Sequence, residues 1–359
     1  MEDLVNVLPV FRGKRVLVTG DTGFKGSWLS LWLAEAGAEV YGYSLPPESA
    51  DAHFNAVGLG SRIKHQDGNI LDLDRLGVFF RQAEPEFVFH LAAQPLVRRS
   101  YRDPKETFDT NVGGSVNVLE CVRLSPAVKT LVYITSDKCY RNREWVWGYR
   151  ENDELGGHDP YSASKAAAEM VFSAYGDSFF RARSGFGFAS VRAGNVIGGG
   201  DWSEDRIVPD CIHALREGQP IVLRNPEATR PWQHVLEPLG GYLTLAAALH
   251  RNPQGFSGTW NFGPDSAASR SVHDLAQGIV HAWGSGRIEI QSSGNAPHEA
   301  GLLHLNCDKA HYSLGWKPCW GFERTVQETV AWYRAVVSGE QGLSMSVAQI
   351  QAYMESSHD

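Results

Sequence analysis

Short apolar runs rich in β-branched and aromatic residues alternate with longer stretches of helix-forming residues along the first half of the chain. Such runs are typical of strands buried on both faces of a parallel sheet. We predict strands at residues 15–20, 39–45, 62–65, 87–93, 131–134 and 187–196. Because helical stretches separate them at short intervals, the pattern predicts an α/β fold with a doubly wound parallel sheet.

The pattern becomes less regular beyond residue 196, where no repeat or low-complexity linker marks a boundary. We therefore expect the second part of the chain to return several times to the first. The predicted division is a dinucleotide-binding domain over residues 1–196, with later returns around 237–263. A smaller, interleaved, substrate-binding α/β domain is predicted over residues 197–359.

A glycine-rich turn, Gly20-x-x-Gly23-x-x-Gly26, follows the first predicted strand and precedes a predicted helix. Glycines let the backbone approach a pyrophosphate closely, and a helix N-terminus supplies N–H donors and a positive dipole. The position of the turn therefore predicts dinucleotide binding, with Phe24 and Lys25 in the same turn.

Residues after two later strands extend this predicted cofactor site. Asn69 follows the third strand, where its amide can bind an adenine amino group. Ala92 and Ala93 end the fourth strand, and their small side chains leave room for a cofactor.

Tyr161 and Lys165 lie four residues apart in a helix predicted to begin after Asp159-Pro160, so they share a helix face. A tyrosine normally titrates near ~10, too high for a base at neutral pH. An ammonium group and the positive ring of an oxidised nicotinamide would lower the pKa of Tyr161. The alternative is an ordinary buried tyrosine and an exposed lysine, and the pair alone does not decide between them.

Other polar groups lie where ligands bind in open α/β sheets. Ser136, Asp137 and Lys138 come just past the predicted strand 131–134, at its carboxyl end. Arg224 and Arg230 lie in later loops, and arginine forks match phosphate geometry. Taken singly, an arginine of this kind is more often a solvated surface charge. The clustering of both with Asn195 and a glycine-rich loop brings a phosphate role level with that interpretation.

Composition excludes several classes of protein. The 359 residues carry a formal net charge of −8 without a long basic block, which argues against nucleic-acid and membrane-surface partners. The five cysteines are odd in number and show no Cys-x-x-Cys spacing, so neither a disulfide framework nor a metal site is predicted. No signal-peptide core or membrane-spanning run is evident, and a cytoplasmic location is expected.

Several longer strings identify a family resemblance. The resemblance rests first on the glycine turn, on Tyr161-x-x-x-Lys165 and on the string RAGN at residues 192–195. It rests further on the longer strings at residues 90–98 (HLAAQPLVR), 135–140 (TSDKCY), 144–149 (EWVWGY), 195–202 (NVIGGGDW) and 230–238 (RPWQHVLEP). They resemble the extended short-chain dehydrogenase/reductases that act on nucleotide sugars, and within them the 4,6-dehydratases of CDP-glucose. The similarity covers nearly the whole chain.

The resemblance implies a Rossmann-type domain with NAD, and a homodimer joined by a four-helix bundle of the helices around 105–124 and 161–180. It also implies a role in deoxysugar biosynthesis, including that of lipopolysaccharide O-antigens. In the implied reaction, Tyr161, supported by Lys165, deprotonates the sugar 4-hydroxyl while hydride passes from C4 to NAD. Water is then lost across C5 and C6, and hydride returns to C6.

The resemblance also assigns the elimination. Lys138 matches the base for C5, Asp137 the acid for the departing 6-hydroxyl, and Ser136 a hydrogen-bonding group near the 4-oxygen. Many sugar-nucleotide dehydratases have Thr-Asp-Glu here, and the lysine favours the CDP-glucose branch. Lys138 must be neutral to accept a proton, and Asp137 must be protonated to donate one.

The resemblance completes two sets of predicted contacts. The cofactor set is Gly20, Gly23, Phe24, Lys25, Gly26, Asn69, Ile70, Leu91, Ala92, Ala93, Gln94, Asn111, Tyr161 and Lys165. The substrate set is Gln94, Arg98, Asn195, Arg206, Arg224, Arg230, His298 and Glu299. Strand two ends without the acidic residue that usually binds the ribose 2′-hydroxyl, but no arginine follows for a 2′-phosphate, so we predict NAD rather than NADP.

Two other functions stay open from sequence alone. A nucleotide-sugar 4-epimerase shares the Tyr/Lys oxidation but needs no acid and base for elimination, so Asp137 and Lys138 discriminate against it. A non-catalytic dinucleotide-binding regulator often lacks the tyrosine or lysine, and both are present here. The choice of cytosine as the nucleobase rests on the resemblance alone.

Overall fold

The computed structural model describes residues 4–265, 269–291 and 302–357. Seven strands of these residues form one sheet in which all neighbours run parallel. They are β1 (Arg15–Thr19), β2 (Glu39–Ser44), β3 (Lys64–Asp67), β4 (Phe87–His90), β5 (Thr130–Ile134), β6 (Gly187–Ala193) and β7 (Gly258–Phe262). The spatial order β3-β2-β1-β4-β5-β6-β7 changes direction between β1 and β4, where open α/β sheets bind ligands. The predicted doubly wound α/β fold is confirmed.

Helices cover both faces of this sheet. The α-helices are Leu4–Val7, Phe24–Glu35, His53–Ala56, Leu73–Ala83, Val97–Arg102, Pro104–Phe108, Ser115–Leu124, Pro160–Tyr175, Ile207–Arg216, Leu236–Arg251, Pro253–Phe256, Val272–Trp283, Phe322–Val337 and Gly342–Ser356. The 3₁₀ turns are Leu8–Phe11, Leu59–Ser61 and Asp137–Cys139, and the π-helical turns are Asp109–Gly114, Gly176–Phe180 and Ala310–Leu314. In the described part of the chain, each helix is too short or too polar to cross a membrane.

Among the described residues, three small strand pairs lie outside the main sheet. Val196–Ile197 runs parallel to Gln233–His234, and Ile221–Leu223 runs parallel to Ile288–Ile290. Thr229–Pro231 and Ser269–Ser271 are antiparallel. These pairs bring the arginine-containing loops of the second half of the chain to the carboxyl end of the main sheet, where they line one cavity with the glycine turn.

The sheet has a hydrophobic core on each face. Along β1, Val16 and Val18 pack into one core and Leu17 packs into the other, as expected for a strand buried on both sides. The first core also contains Trp332 and Tyr353 of the two C-terminal helices. The end of the chain is therefore packed against the same sheet as its beginning.

Some boundaries differ from the predicted ones. β3 begins at Lys64, two residues later than predicted, and β4 ends at His90 rather than residue 93. The N–H of Leu91 still donates to the Thr19 carbonyl (3.1 Å), as the last bond of the β1–β4 ladder, and the chain leaves the sheet after it. The helix predicted over residues 103–124 contains a π-helical turn, and β6 stops at Ala193, three residues early.

A buried carboxyl group joins three segments behind the sheet. Glu237 lies in the first turn of the helix Leu236–Arg251 and is fully buried. It accepts hydrogen bonds from the backbone N–H groups of Cys319 (3.0 Å) and Trp320 (2.6 Å) and from the Tyr353 hydroxyl (2.8 Å). Burial outweighs these bonds and raises the pKa of Glu237 to about 7.

We predict that Glu237 makes the protein less stable as the pH rises from ~4.5 to about 7. The folded state keeps the proton of Glu237 over that range while the unfolded state releases it, so the free energy of unfolding falls by about 3 kcal/mol. Glu237→Gln cannot titrate. The variant should therefore not show this loss of stability. The difference in free energy of unfolding, variant minus wild type, should increase by about 3 kcal/mol over the same pH range, as measured by urea unfolding. Parallel pH profiles for the two proteins would contradict the prediction.

Candidate active site

A cavity of about 1340 Å³ lies along the carboxyl ends of the central strands. It brings together most of the residues predicted for cofactor and substrate. The lining members of those sets are Gly20, Gly23, Phe24, Lys25, Gly26, Asn69, Ile70, Leu91, Ala92, Ala93, Arg98, Ser136, Asp137, Lys138, Tyr161, Asn195, Arg206, Arg224 and Arg230. The predicted His298 and Glu299 lie outside the described residues.

The glycine turn fits a pyrophosphate. Gly20 has φ +78°, and a Cβ there would lie 2.7 Å from the backbone N of Ala92, so this closely packed crossing requires glycine. A Cβ on Gly26 would overlap the Gly20 carbonyl. The helix Phe24–Glu35 begins at Gly23, and among the described residues no side chain caps its first N–H groups. These donors remain for an anion at the cavity wall.

The turn after β5 presents an acid to the same cavity. The Ser136 hydroxyl donates to Asp137 Oδ1 (2.9 Å) and accepts from the N–H of Lys138 (3.3 Å), which closes the turn Asp137–Cys139. A Cβ on Gly194 would lie 2.6 Å from Asp137 Oδ2, so the glycine leaves room for this carboxyl group.

The environment of Asp137 favours its protonated form. The side chain is 3% exposed, and burial raises its pKa. Positive charge on Lys138 and Arg230 and the hydrogen bond with Ser136 act in the opposite direction but are outweighed. Asp137 is thus suited to donate a proton, as the sequence-based prediction required.

Tyr161 and Lys165 share the buried face of the helix Pro160–Tyr175, which Asp159 caps by accepting from the N–H of Ser162 (2.9 Å). Lys165 Nζ lies 6.0 Å from the centroid of the Tyr161 ring. Tyr161 lines the cavity, whereas Lys165 is 6% exposed and lies outside the set of lining residues. Lys165 can therefore support Tyr161 from behind.

The predicted lowering of the Tyr161 pKa is not produced by the protein's own groups. Burial raises the pKa of Tyr161 to about 12, although Ser136 and Arg206 favour the phenolate. Burial also lowers the pKa of Lys165 to about 8, assisted by the charge of Lys25. Desolvation penalises both charged forms, and this effect is larger than the pairwise attractions.

Several cations face the cavity, as expected for a site that binds phosphates. Burial and the nearby Arg206 lower the pKa of Lys25 to about 8. Arg206 is paired with Asp201 (2.8 Å) and Arg98 with Asp205 (2.7 Å). These carboxylates hold the guanidinium groups in place at the wall of the cavity.

The structure does not bring Gln94 and Asn111 to the cavity surface. Asn111 accepts from the N–H of Gln94 (2.8 Å) and donates to the Gln94 carbonyl (3.1 Å) and to Ser164 (2.9 Å). The side-chain amide of Gln94 donates to Thr107 (2.8 Å). Both polar side chains are buried in these contacts, so they brace the segment after β4 behind the lining residues.

Sequence patterns did not identify Glu169 or Gly194 as site residues. Glu169 is buried and binds Arg192, and its spacing of four residues after Lys165 was a visible signal that it shares the face of Tyr161 and Lys165. The requirement for glycine at position 194 arises from Asp137 on the neighbouring strand end, a contact that the sequence alone does not reveal.

Comparison with known proteins agrees with this geometry. A family model described as GDP-mannose 4,6 dehydratase matches residues 17–329. A CDP-glucose 4,6-dehydratase of Salmonella typhimurium is 49% identical over 348 residues, which cover 96% of this chain and 97% of that protein. A dTDP-glucose 4,6-dehydratase of the same organism is 25% identical and covers 89% of this chain and 93% of its own.

Solved structures share the fold at lower identity. An epimerase, Mth375, of Methanothermobacter thermautotrophicus has a TM-score of 0.80 at 23% identity, covering 93% of this chain and 96% of that one. A dTDP-glucose 4,6-dehydratase of Bacillus anthracis in complex with NAD has a TM-score of 0.74 at 21% identity, covering 91% and 99%. Epimerases and dehydratases therefore share this architecture, and the fold alone does not separate them.

Proposed function

The chain belongs to the GDP-mannose 4,6-dehydratase family of extended short-chain dehydrogenase/reductases, and on this basis we propose that it converts CDP-glucose to CDP-4-dehydro-6-deoxyglucose and water. The observation that carries the choice of substrate is the 49% identity, over 96% of the chain, to a CDP-glucose 4,6-dehydratase. The product would enter deoxysugar biosynthesis. We place the reaction in the cytoplasm, where the five unpaired cysteines would stay reduced.

NAD is the cofactor that these residues fit. The glycine turn and the uncapped helix at Phe24 suit its pyrophosphate, and β2 ends at Ser44 with no arginine following for a 2′-phosphate. Held there, NAD would supply the hydride acceptor for sugar C4 and then the hydride donor for C6 of the same sugar, so there would be no net redox change.

Tyr161 acts as the base for the sugar 4-hydroxyl. Its hydroxyl faces the cavity near Ser136, which also hydrogen-bonds at the 4-oxygen. To act as a base, Tyr161 must first lose its own hydroxyl proton. Burial disfavours the phenolate that results, so positive charge nearby is needed to stabilise it. Arg206 is a cation that favours the phenolate of Tyr161. We assign the same role to Lys165, whose Nζ lies 6.0 Å from the centroid of the Tyr161 ring.

Asp137 and Lys138 carry the elimination. The 4-ketone acidifies the C5 proton, which Lys138 accepts in its neutral form. Asp137 gives its proton to the departing 6-hydroxyl, and the C–O bond breaks as the C5–C6 double bond forms and water leaves. When hydride reaches C6, Lys138 gives the proton it holds back to C5. The raised pKa of Asp137 supports this role, because a protonated acid is required. A 4-epimerase needs neither group.

The products of one incubation test the reaction. With NAD supplied, we expect CDP-glucose to lose the mass of one water with no net reduction of NAD, as measured by mass spectrometry and absorbance. UDP-glucose and dTDP-glucose serve as controls for the nucleobase and should react far more slowly. A mass-neutral isomerisation would favour the epimerase, and no reaction with any of the three would favour the regulator.

Replacing the acid or the base should separate the two halves of the reaction. Asp137→Asn and Lys138→Met should slow loss of water by roughly 10²–10⁴-fold while sparing oxidation at C4, because each removes one proton transfer of the elimination. The two steps are compared in single turnovers. Equal loss of both steps would contradict the assignment.

The pH dependence offers a check on the acid. Water can leave only while Asp137 holds its proton, and burial raises the pKa of that carboxyl group. We therefore expect the rate of water loss to fall as the pH rises and Asp137 ionises. A rate of water loss that does not fall with rising pH would count against Asp137 as the acid.

A homodimer is the assembly we propose. The helices Ser115–Leu124 and Pro160–Tyr175 pack side by side, and they and the turn after them expose Leu124, Met170 and Phe179. Two helices from each subunit would cover these side chains in a four-helix bundle.

A charge on this face should break the dimer. Met170 is 58% exposed, and Met170→Glu would place a carboxylate in the apolar contact, so light scattering after gel filtration should detect monomers. Tyr312 is 89% exposed on another element, and Tyr312→Glu is the matched control that should stay dimeric. A wild-type monomer, or an unaffected Met170→Glu dimer, would refute this interface.

A further inference from the structure

Glu169 and Arg192 form an ion pair that the proposed reaction does not use. Each is 3% exposed, and the guanidinium binds the carboxylate as a fork, with Nε 3.0 Å from Oε1 and Nη2 2.9 Å from Oε2. The Ser190 hydroxyl donates to Oε2 (2.9 Å) and the Thr135 hydroxyl donates to Oε1. The carboxylate of Glu169 therefore accepts four hydrogen bonds in the protein interior.

The four hydrogen bonds join the helix of Glu169 to the ends of β5 and β6, which lie beside the reacting groups. Tyr161, Lys165 and Glu169 follow one another at intervals of four along one helix face. Thr135 directly precedes Ser136 and Asp137 in the turn after β5. Arg192 lies on β6, two residues before the glycine on which Asp137 rests. One carboxylate thus joins the tyrosine helix to both strands that support the acid.

Arg192 extends the connection to the far side of the turn. Its Nη1 donates to the Glu151 carbonyl (3.1 Å), and its guanidinium lies 4.6 Å from the centroid of the Tyr140 ring. The Tyr140 hydroxyl is itself fixed by Asn261 (2.8 Å). The turn 135–140 is therefore anchored at its first and last residues by the same pair.

A buried ion pair is weak evidence for stability, because apolar side chains of similar size often stabilise a core as well. The two-pronged pairing does fix how the bonded elements lie relative to one another, because all four hydrogen bonds to the Glu169 carboxylate are directional. Three separate elements meet at Glu169, and a small shift between reacting groups can slow a reaction by about 10²-fold. The reaction would therefore benefit from this pair through the relative placement of its reacting groups, and not through added stability.

We propose that Glu169 is a positioning residue that holds the Ser136–Asp137 turn in register with Tyr161, so that C4 oxidation and C5–C6 elimination act on one sugar in one pose. The proposal rests on the proposed function. It implies that disturbing Glu169 affects the elimination more than the oxidation. Tyr161 is fixed by its own helix, whereas the hydrogen bonds that tie the strand ends beside Asp137 to that helix come from Thr135 and Arg192.

The variant Glu169→Gln tests this proposal. One carboxylate oxygen becomes an NH₂ group, which cannot accept the hydrogen bonds that Arg192 and Ser190 donate to an oxygen at that position. We expect loss of water to slow by roughly 10- to 100-fold, while the single-turnover rate of C4 oxidation stays within a few-fold of the wild type. Reduced nicotinamide should then accumulate transiently in the variant. Equal slowing of both steps would overturn the proposal.

A second measurement needs neither substrate nor cofactor. In the protein alone, backbone amides of residues 135–140 should exchange with deuterated water faster in Glu169→Gln than in the wild type. Glu237→Gln is the matched control, because Glu237 is equally buried and neither it nor its partners Cys319, Trp320 and Tyr353 are among the lining residues. The control should leave exchange at 135–140 unchanged.

Thr135→Val is a milder variant that removes one of the four bonds, and it replaces Glu169→Gln if that protein fails to fold. Unchanged exchange at 135–140 in a folded variant would mean that the pair only stabilises the core, and would overturn the proposal. If the wild type dehydrates none of the sugar nucleotides, the proposed function fails instead. The exchange measurement then decides by itself whether Glu169 holds the turn.

Discussion

Removal of water from the reacting groups is the physical effect on which this site depends. Burial is the largest cause of the pKa shifts of Asp137, Tyr161, Lys165 and Lys25. It raises the pKa of the two acids and lowers that of the two amines, so all four groups are biased towards their neutral forms. A neutral carboxyl group can donate a proton, but a neutral tyrosine becomes a base only where positive charge is concentrated.

The fold achieves this burial through close backbone contacts. Gly20 lets the first turn approach the exit of β4, and Gly194 lets the exit of β6 approach Asp137. Each of these contacts joins the carboxyl ends of two neighbouring strands, β1 and β4 for Gly20, and β5 and β6 for Gly194. The polar groups behind the cavity are satisfied by one another, as Gln94 and Asn111 show. Direct pairing of this kind keeps the wall rigid without exposing it to solvent.

Sequence patterns predicted the sheet, the glycine turn and the position of Asp137 and Lys138 at the ligand-binding edge, because each follows from periodicity and from the rule that parallel strands end together. The family resemblance added Tyr161 to the same site. They failed where a result depends on contacts between distant segments. Gln94 lies beside the site in sequence, yet its amide binds Thr107 instead. The direction of the Tyr161 pKa shift depends on burial, which the Tyr-x-x-x-Lys spacing does not contain.

The central claim is that one enclosed cavity oxidises and dehydrates a sugar that does not leave between the steps. Transfer of deuterium from C4 tests this most directly. CDP-glucose labelled with deuterium at C4 is mixed with CDP-glucose that carries ¹³C at all six glucose carbons and no deuterium, and the product is analysed by mass spectrometry and NMR. We predict that deuterium appears at C6 of the same molecules that carried it at C4. Deuterium at C6 of the ¹³C-labelled sugar, or its loss to solvent, would contradict the account.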